Sequence, residues 1–192
     1  KSTIINSSDA NCFGAAYGTI SISADGGTFP YTFTWSDNAT LTDSTRNDLL
    51  AGNYQLIISD GNNCSETIDF SIGEPDALAT SFNNNNVNCN GNTTGTAMVI
   101  PNGGTGPIEY LWGAAANNQK TQEATGLAAG IYIVTLTDAN QCTFEATTEI
   151  QEPYLLELNL GKNAVLCICN STGAITLHVN AVTSPSVYSL LS

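Results

Sequence analysis

Positive charge is the scarcest property of this chain. Only 4 of its 192 residues are Lys or Arg, against 17 Asp and Glu. The formal net charge is −13 and the isoelectric point about 4.1. Four scattered cations make no phosphate-neutralising footprint, which excludes nucleic acid as a partner. Histidine is rarer still. His178 is the only one, and no base-and-nucleophile constellation accompanies it, so the chain is not expected to be an enzyme and implies no cofactor. No stretch approaches the roughly eighteen uninterrupted apolar residues of a membrane-spanning helix, so membrane insertion is not expected. The opening residues Lys1-Ser2-Thr3-Ile4-Ile5 have neither a charged n-region nor an apolar h-region, so no signal peptide is expected. The abrupt start, and the equally abrupt close on Ser189-Leu190-Leu191-Ser192, read as a piece of something longer. No cysteine sits in a Cys-x-x-Cys pair, which zinc would want. Cys167 and Cys169, two apart, suit neither a zinc knuckle nor an easy disulfide, and their state is left open. Missing too is any apolar i, i+3, i+4, i+7 stripe of useful length, and Lys120 to Leu127 is expected to form at most a turn.

What is present is β-sheet chemistry. Hydrophobic residues make up 42% of the chain, enough for a core, while charged residues are only 11%. The 22 Asn and 24 Thr supply the polar surface that Lys and Glu normally provide, and they favour turns and strands. Six cysteines in so acidic and Lys-poor a chain suggest an oxidising, extracellular setting.

Self-similarity organises the sequence. Cys12, Gly14, Gly18, Thr19, Gly26, Gly27, Thr28, Pro30 and Trp35 recur 77 positions later as Cys89, Gly91, Gly95, Thr96, Gly103, Gly104, Thr105, Pro107 and Trp112. After one inserted residue, Leu49, Gly52, Tyr54, Asp60, Asn62, Cys64, Ile72, Glu74 and Pro75 recur 78 positions later, from Leu127 to Pro153. A third copy begins after Pro153, with Cys167 and Gly173 where Cys89 and Gly95 stood. The expected domains are residues 1–76, residues 77–154, and a partial, divergent third copy over 155–192.

Within a copy the apolar period is two. Ile20 and Ile22, then Tyr31, Phe33 and Trp35, then Tyr54, Leu56 and Ile58, then Ile68, Phe70 and Ile72 alternate mostly with polar residues between tight-turn signals. Such runs predict half-buried antiparallel strands and an all-β module. Trp35 and Trp112 each end a strand, as the core Trp of strand C does in an immunoglobulin-like sandwich. Leu49-x-x-Gly52-x-Tyr54 and Leu127-x-x-Gly130-x-Tyr132 look like a tyrosine corner leading into strand F. Asp60 to Asn63 is then the F–G hairpin, and Glu74-Pro75 ends strand G, because Pro cannot donate to a ladder. Few strands are expected over residues 37–48. The expected fold is a tandem of immunoglobulin-like antiparallel β-sandwich repeats arranged end to end.

These same motifs carry a family resemblance. Cys-x-Gly-x3-Gly-Thr, Gly-Gly-Thr-x-Pro-Tyr-x-x-x-Trp, Leu-x-Ala-Gly-x-Tyr, Asp-x-Asn-x-Cys and Glu-Pro, in that order over nearly all of residues 1–154, resemble SprB repeats. The second copy departs at Ile108, in the place of Tyr31, and the third at Cys169, Ala181-Val182 and Leu190. The resemblance implies the repeat region of a secreted cell-surface adhesin or filament of Bacteroidetes, exported by type IX secretion and, in gliding cells, moved along the surface. Implied partners are neighbouring copies of the repeat and surface polysaccharides. A discrete carbohydrate-binding module is the alternative, and it would show an exposed aromatic pair in one copy only.

Asp60 and Asp138, in the F–G turns, are candidate calcium ligands, but Asx turns use the same residues without metal and no Asp-x-Asp-x-Asp loop is present. Trp35 and Trp112 could stack on a sugar, although alternation assigns them to the core. Asn83-Asn84-Asn85-Asn86 reads as a solvated loop, and His178 as a sheet-surface residue. Asn38, Asn63, Asn92 and Asn170 begin Asn-x-Ser/Thr triplets, which such a composition produces by chance, and Asp43-Ser44-Thr45 resembles the O-glycosylation signal of Bacteroidetes surface proteins, a resemblance that makes Ser44 a candidate site.

The cysteines admit two pairings. The within-copy scheme joins Cys12 to Cys64 and Cys89 to Cys142. In the inferred topology, however, Cys12 in the A–B connection and Cys64 in the F–G hairpin lie at opposite ends of a strand, roughly 20 Å apart. Bridged cysteines need Cα atoms within about 7 Å. End-to-end copies would instead bring Cys12 toward Cys142. Both schemes stay open here, with a slight lean to the inter-copy bond.

Overall fold

The computed structural model describes residues 2–155, 157–163 and 174–180, and it is all-β apart from one 3-10 turn at Ala114–Ala116. The first copy has six strands: β1 (Ser2–Ser8), β2 (Gly18–Ala24), β3 (Thr32–Trp35), β4 (Thr45–Leu49), β5 (Gly52–Ser59) and β6 (Ser65–Ile72). They form two three-stranded sheets, β1-β2-β4 and β3-β5-β6. In immunoglobulin letters these are A-B-E and C-F-G, with strand D missing. Residues 36–44 cross between the sheets without a strand, and β4 is the only strand that reaches into residues 37–48. The two inward faces share one core of Ile20, Ile22, Trp35, Leu49, Leu56, Ile58 and Ile72, all 5% exposed or less. That makes each copy an immunoglobulin-like sandwich.

The second copy repeats the plan with β7 (Ala79–Asn85), β8 (Gly95–Asn102), β9 (Glu109–Trp112), β10 (Glu123–Leu127), β11 (Gly130–Thr137) and β12 (Thr143–Ile150). Its sheets are β7-β8-β10 and β9-β11-β12. Val99, Trp112, Leu127, Val134 and Ile150 are buried. Of the third copy, β13 (Glu157–Asn163) and β14 (Ala174–Asn180) form an antiparallel pair in which His178 stands opposite Asn159. Cys167, Cys169, Asn170, Ala181-Val182 and Leu190 lie outside the described residues.

Compactness divides the chain into two units. The first holds Lys1–Ser81, Ile100–Tyr110 and Thr135–Glu145; the second holds Phe82–Val99, Leu111–Val134 and Ala146–Ser192. The first unit thus contains the whole first copy together with the B–C turn and the F–G hairpin of the second.

Two sequence expectations are corrected. Lys120–Leu127 is not merely a turn: its last five residues are β10, paired with β8 through Glu123↔Met98, Ala124↔Ala97 and Thr125↔Thr96. The apolar pair Ala124 and Leu127 is spaced by three because Gly126, at φ +71°, forms a bulge that returns Leu127 to the inner face. The asparagine run is not a solvated loop either, since Asn83 to Asn85 belong to β7. Asn84 Nδ2 donates to Thr148 Oγ1 at 2.6 Å and to the Glu149 carbonyl, and Asn85 Nδ2 donates to Thr96 Oγ1 at 3.0 Å. Asn85 thus reaches the adjacent strand β8 and Asn84 reaches β12 of the other sheet, bonds that offset their poor intrinsic strand preference.

Trp35 is 1% exposed and Trp112 fully buried, each with its indole N–H donating to a backbone carbonyl at 3.0 Å, that of Asp43 or Thr121. They are core residues with a satisfied donor, not sugar platforms. The Tyr54 hydroxyl donates to the Leu50 carbonyl at 2.9 Å and Tyr132 to Ala128 at 3.0 Å, the backbone bond of a tyrosine corner. Gly18 and Gly95 recur for want of space. A Cβ on either would stand 2.5 or 2.6 Å from Cγ2 of Ile72 or Ile150. Arg46, one of the few cations, clamps the 36–48 crossover: it pairs with Asp37 at 2.7 Å and Asp48 at 2.8 Å, and lies 5.3 Å from the Trp35 ring centroid.

Candidate functional site at the Cys12–Cys142 cross-link

The loops of this molecule are built from carboxylates that collect backbone N–H groups. In the first F–G hairpin, Asp60 Oδ1 accepts the N–H groups of Asn62 and Cys64 at 2.9 Å, and Oδ2 accepts that of Thr28 at 3.0 Å. The second hairpin repeats this with Asp138, Asn140, Cys142 and Thr105 at the same distances. Each aspartate therefore ties its F–G hairpin to its B–C turn. Both oxygens of each carboxylate are directed at N–H donors, and among the described residues no three His, Cys, Asp or Glu side chains converge as metal ligands.

Those donors set the ionisation. The N–H groups of Thr28, Cys64 and Asn62 hold the half-exposed Asp60 below its ordinary value of 3.8. For Asp138 burial pushes upward, but the N–H groups of Thr105, Cys142 and Asn140 outweigh it, and its pKa also lies below 3.8. Because both folded-state values are depressed, the stability they contribute is full above pH 3.8 and disappears as pH falls through the lower folded values. Replacing both aspartates by asparagine is expected to flatten this acid limb of the melting temperature. It should also lower stability at neutral pH, because a carboxamide turns an N–H₂ toward a backbone N–H donor and leaves that bond unmade. Thermal melts between pH 7 and pH 2 check both effects. An acid limb unchanged in the double variant would contradict them.

The A–B loops have a matching design. Gly14 N–H donates to Glu74 Oε2, and Gly91 N–H to Glu152 Oε2, both at 2.6 Å. Gly73 N–H donates to Asp9 Oδ1 at 2.8 Å, and Gln151 N–H to Asn86 Oδ1 at 2.9 Å. Sequence reasoning took the Glu-Pro pairs only as strand stops. The glutamate in fact closes the loop that carries the cysteine, and its recurrence beside Pro75 and Pro153 was the available signal.

Within the first compact unit these two designs meet. Cys12, on the A–B loop, is disulfide-bonded to Cys142, on the F–G hairpin, with Cα atoms 5.7 Å apart and a sequence separation of 130. Cys64 and Cys89 are unpaired and exposed. Around the bond, Asn140 Nδ2 donates to the Asn11 carbonyl at 2.9 Å and to Thr105 Oγ1 at 3.1 Å, and Gly104 N–H donates to the Asp76 carbonyl at 2.9 Å. Gly103, at φ +70°, passes so close to the Ala77 carbonyl that no Cβ fits. Beside the bond lies a cleft of about 460 Å³ walled by Phe13, Tyr17, Pro75, Leu78 and Phe144. Phe13 and Tyr17 are 60% and 61% exposed, and the second copy has Asn90 and Thr94 in their places. This aromatic pair was missed, although its presence in one A–B loop and not the other was legible.

The remaining candidates stand apart from this cross-link. Ser44 is half-buried, and its carbonyl accepts the Ile22 N–H at 3.0 Å. Asn38 and Asn92 are exposed, and Asn63 sits in the first F–G hairpin at φ 64°.

Comparison with known proteins gives three kinds of result. No curated protein matches. Among solved structures, the three N-terminal domains of the bacteriophage RB49 highly immunogenic outer capsid protein are 18% identical, with 96% of this chain and 71% of that one covered and a TM-score of 0.47. The N-terminal eight Ig domains of the Down syndrome cell adhesion molecule are 10% identical, with 80% and 25% covered and a TM-score of 0.40. Domains 4–9 of the surface layer protein SbsC are 12% identical, with 96% and 36% covered and a TM-score of 0.32. The chain thus spans about a quarter and a third of the latter two. The family model of the SprB repeat matches residues 4–40 and again residues 81–117, the second segment lying 77 positions after the first, as the cysteine and tryptophan spacing does. These two segments are thus similar to SprB repeats, the family that the sequence motifs resemble.

Proposed function

We propose that this chain is a non-catalytic repeat region of a secreted cell-surface adhesin or filament, serving as a stalk and as a weak multivalent binder of surface polysaccharides. The observation that carries the reading is that the residues shared by the two copies are spent on framework. They form the tryptophan cores, the tyrosine corners, the N–H-collecting aspartates and glutamates, and the cysteine pair that ties one copy's loop to the next copy's hairpin. A cross-linked repeat resists being pulled apart, which suits an extracellular stalk under load. The family resemblance extends the proposal to export by type IX secretion in Bacteroidetes and, in gliding cells, to movement along the surface.

The second reading, a discrete carbohydrate-binding module, is favoured by one observation: Phe13 and Tyr17 are both exposed and line one cleft, and the second copy has Asn90 and Thr94 in their places. A glycan array separates the two. For the stalk, the soluble chain is expected to bind weakly and bead-displayed chain much more strongly, because linked sites raise the effective concentration without new contacts. The double variant Phe13→Ala/Tyr17→Ala should leave that bead avidity largely intact. Tight binding by the soluble chain that vanishes in the double variant would establish the module and displace the stalk.

A further inference from the structure

We propose that Cys64 and Cys89 are the two open halves of the bond that Cys12 and Cys142 make within the chain, and that a second copy of this chain docks on each, head to tail, through a Cys89–Cys64 disulfide. The argument is a comparison of the chain with itself. Cys64 occupies the hairpin position of Cys142, and its frame is the same in every measured bond. The residue's carbonyl accepts the N–H of Asp60 or Asp138 at 3.0 Å, its own N–H goes to that aspartate at 2.9 Å, and the aspartate's other oxygen takes Thr28 or Thr105. Cys89 occupies the loop position of Cys12. The cysteine carbonyl accepts the N–H three residues on, at 3.2 Å from Ala15 or 3.1 Å from Asn92, and the loop is closed by Glu74 or Glu152. In these backbone bonds the unbonded pair matches the bonded pair, and both unbonded thiols are exposed.

The flanking groups match as well. The Cys12 loop presents the Asn11 carbonyl to Asn140, and the Cys89 loop carries Asn88 at that position to present to Asn62. Asn62 Nδ2 already donates to Thr28 Oγ1 at 2.9 Å, as Asn140 does to Thr105 Oγ1. The Asp76 carbonyl accepts the Gly104 N–H, and the counterparts are the Tyr154 carbonyl and the Gly27 N–H. Tyr154 itself is 76% exposed. The occupant that fits the Cys64 face is thus the Asn88-Cys89 loop with the Pro153-Tyr154 segment of another molecule. Loop and hairpin are different surfaces, so the contact is heterologous and repeats without closing on itself.

Formation of each bond balances with a small-molecule disulfide, such as oxidised glutathione, as oxidant. The Cys89 thiolate attacks it, giving a mixed disulfide and one glutathione thiolate. The incoming Cys64 thiolate then attacks the cysteine sulfur of that mixed disulfide and expels the second glutathione, so two protein thiols are oxidised and one glutathione disulfide is reduced to two thiols.

The test uses the full chain carrying Cys167→Ser and Cys169→Ser, concentrated with oxidised glutathione and resolved without reductant. A ladder of covalent multimers is expected, with a Cys64–Cys89 peptide in the digest and the Cys12–Cys142 peptide retained as proof of an intact fold. Cys64→Ser or Cys89→Ser alone should abolish the ladder, whereas mixing the two variants should restore a dimer and nothing larger. Absence of the ladder in the parent chain overturns the proposal. So does a ladder made of Cys64–Cys64 and Cys89–Cys89 peptides, or as much dimer from either variant alone as from the mixture.

Discussion

Trp35→Ala is expected to unfold the first sandwich. The indole fills the centre of the core formed by Ile20, Leu56 and Ile72, contacts Phe70 edge-on at a centroid distance of 6.0 Å, and is only 1% exposed. Truncating a buried aromatic costs roughly 3–5 kcal/mol, which is comparable to the whole stability of a small domain. Two further losses add to it: the Asp43 carbonyl loses its indole donor, and Arg46 loses the ring beneath it. Trp112→Ala should do the same to the second sandwich, where Trp112 is fully buried against Phe82 at 6.4 Å. Differential scanning calorimetry of each variant is expected to show one early transition and one close to its original position, since repeat modules share only interface terms. A single unchanged transition in either variant would mean that the indole contributes nothing to a core.

Breaking the Cys12–Cys142 bond is the second large expected effect. For a cross-link spanning 130 positions, the chain-entropy argument gives about 5 kcal/mol of stabilisation, acting by restricting the unfolded chain. Reductant, Cys12→Ser and Cys142→Ser should therefore each move the urea midpoint down by a similar amount. The double variant should match either single one, because the two residues make one interaction. Cys64→Ser should leave the midpoint where it was, since that thiol is exposed and unbonded. Equilibrium unfolding with and without reductant checks all four. A reduced chain as stable as the oxidised one would show that the bond constrains nothing the fold does not already hold.

These two effects differ in how visible their causes are in the sequence. Alternation is local. Ile20 and Ile22, or Leu56 and Ile58, point to one face of a strand whatever the rest of the chain does, so these strands and both tryptophan cores can be read from spacing alone. The hairpin aspartates are legible for the same reason, because an Asx turn is closed within a few residues. The extra bond each aspartate makes to the B–C turn, at Thr28 and Thr105, is not local and had no signal of its own. Locality also failed where polar residues were read by composition. The Asn84 amide finds its partners at Thr148 and Glu149, on a strand of the other sheet more than sixty residues away. Cysteine pairing lies furthest from what spacing reveals. The period of 77 to 78 residues established that equivalent loops exist, and left two pairings standing. The choice between them depends on which loops lie within a few ångströms at the same end of a sandwich, and the 5.7 Å between the Cα atoms of Cys12 and Cys142 is a property of strand direction and linker length that only the tertiary structure decides.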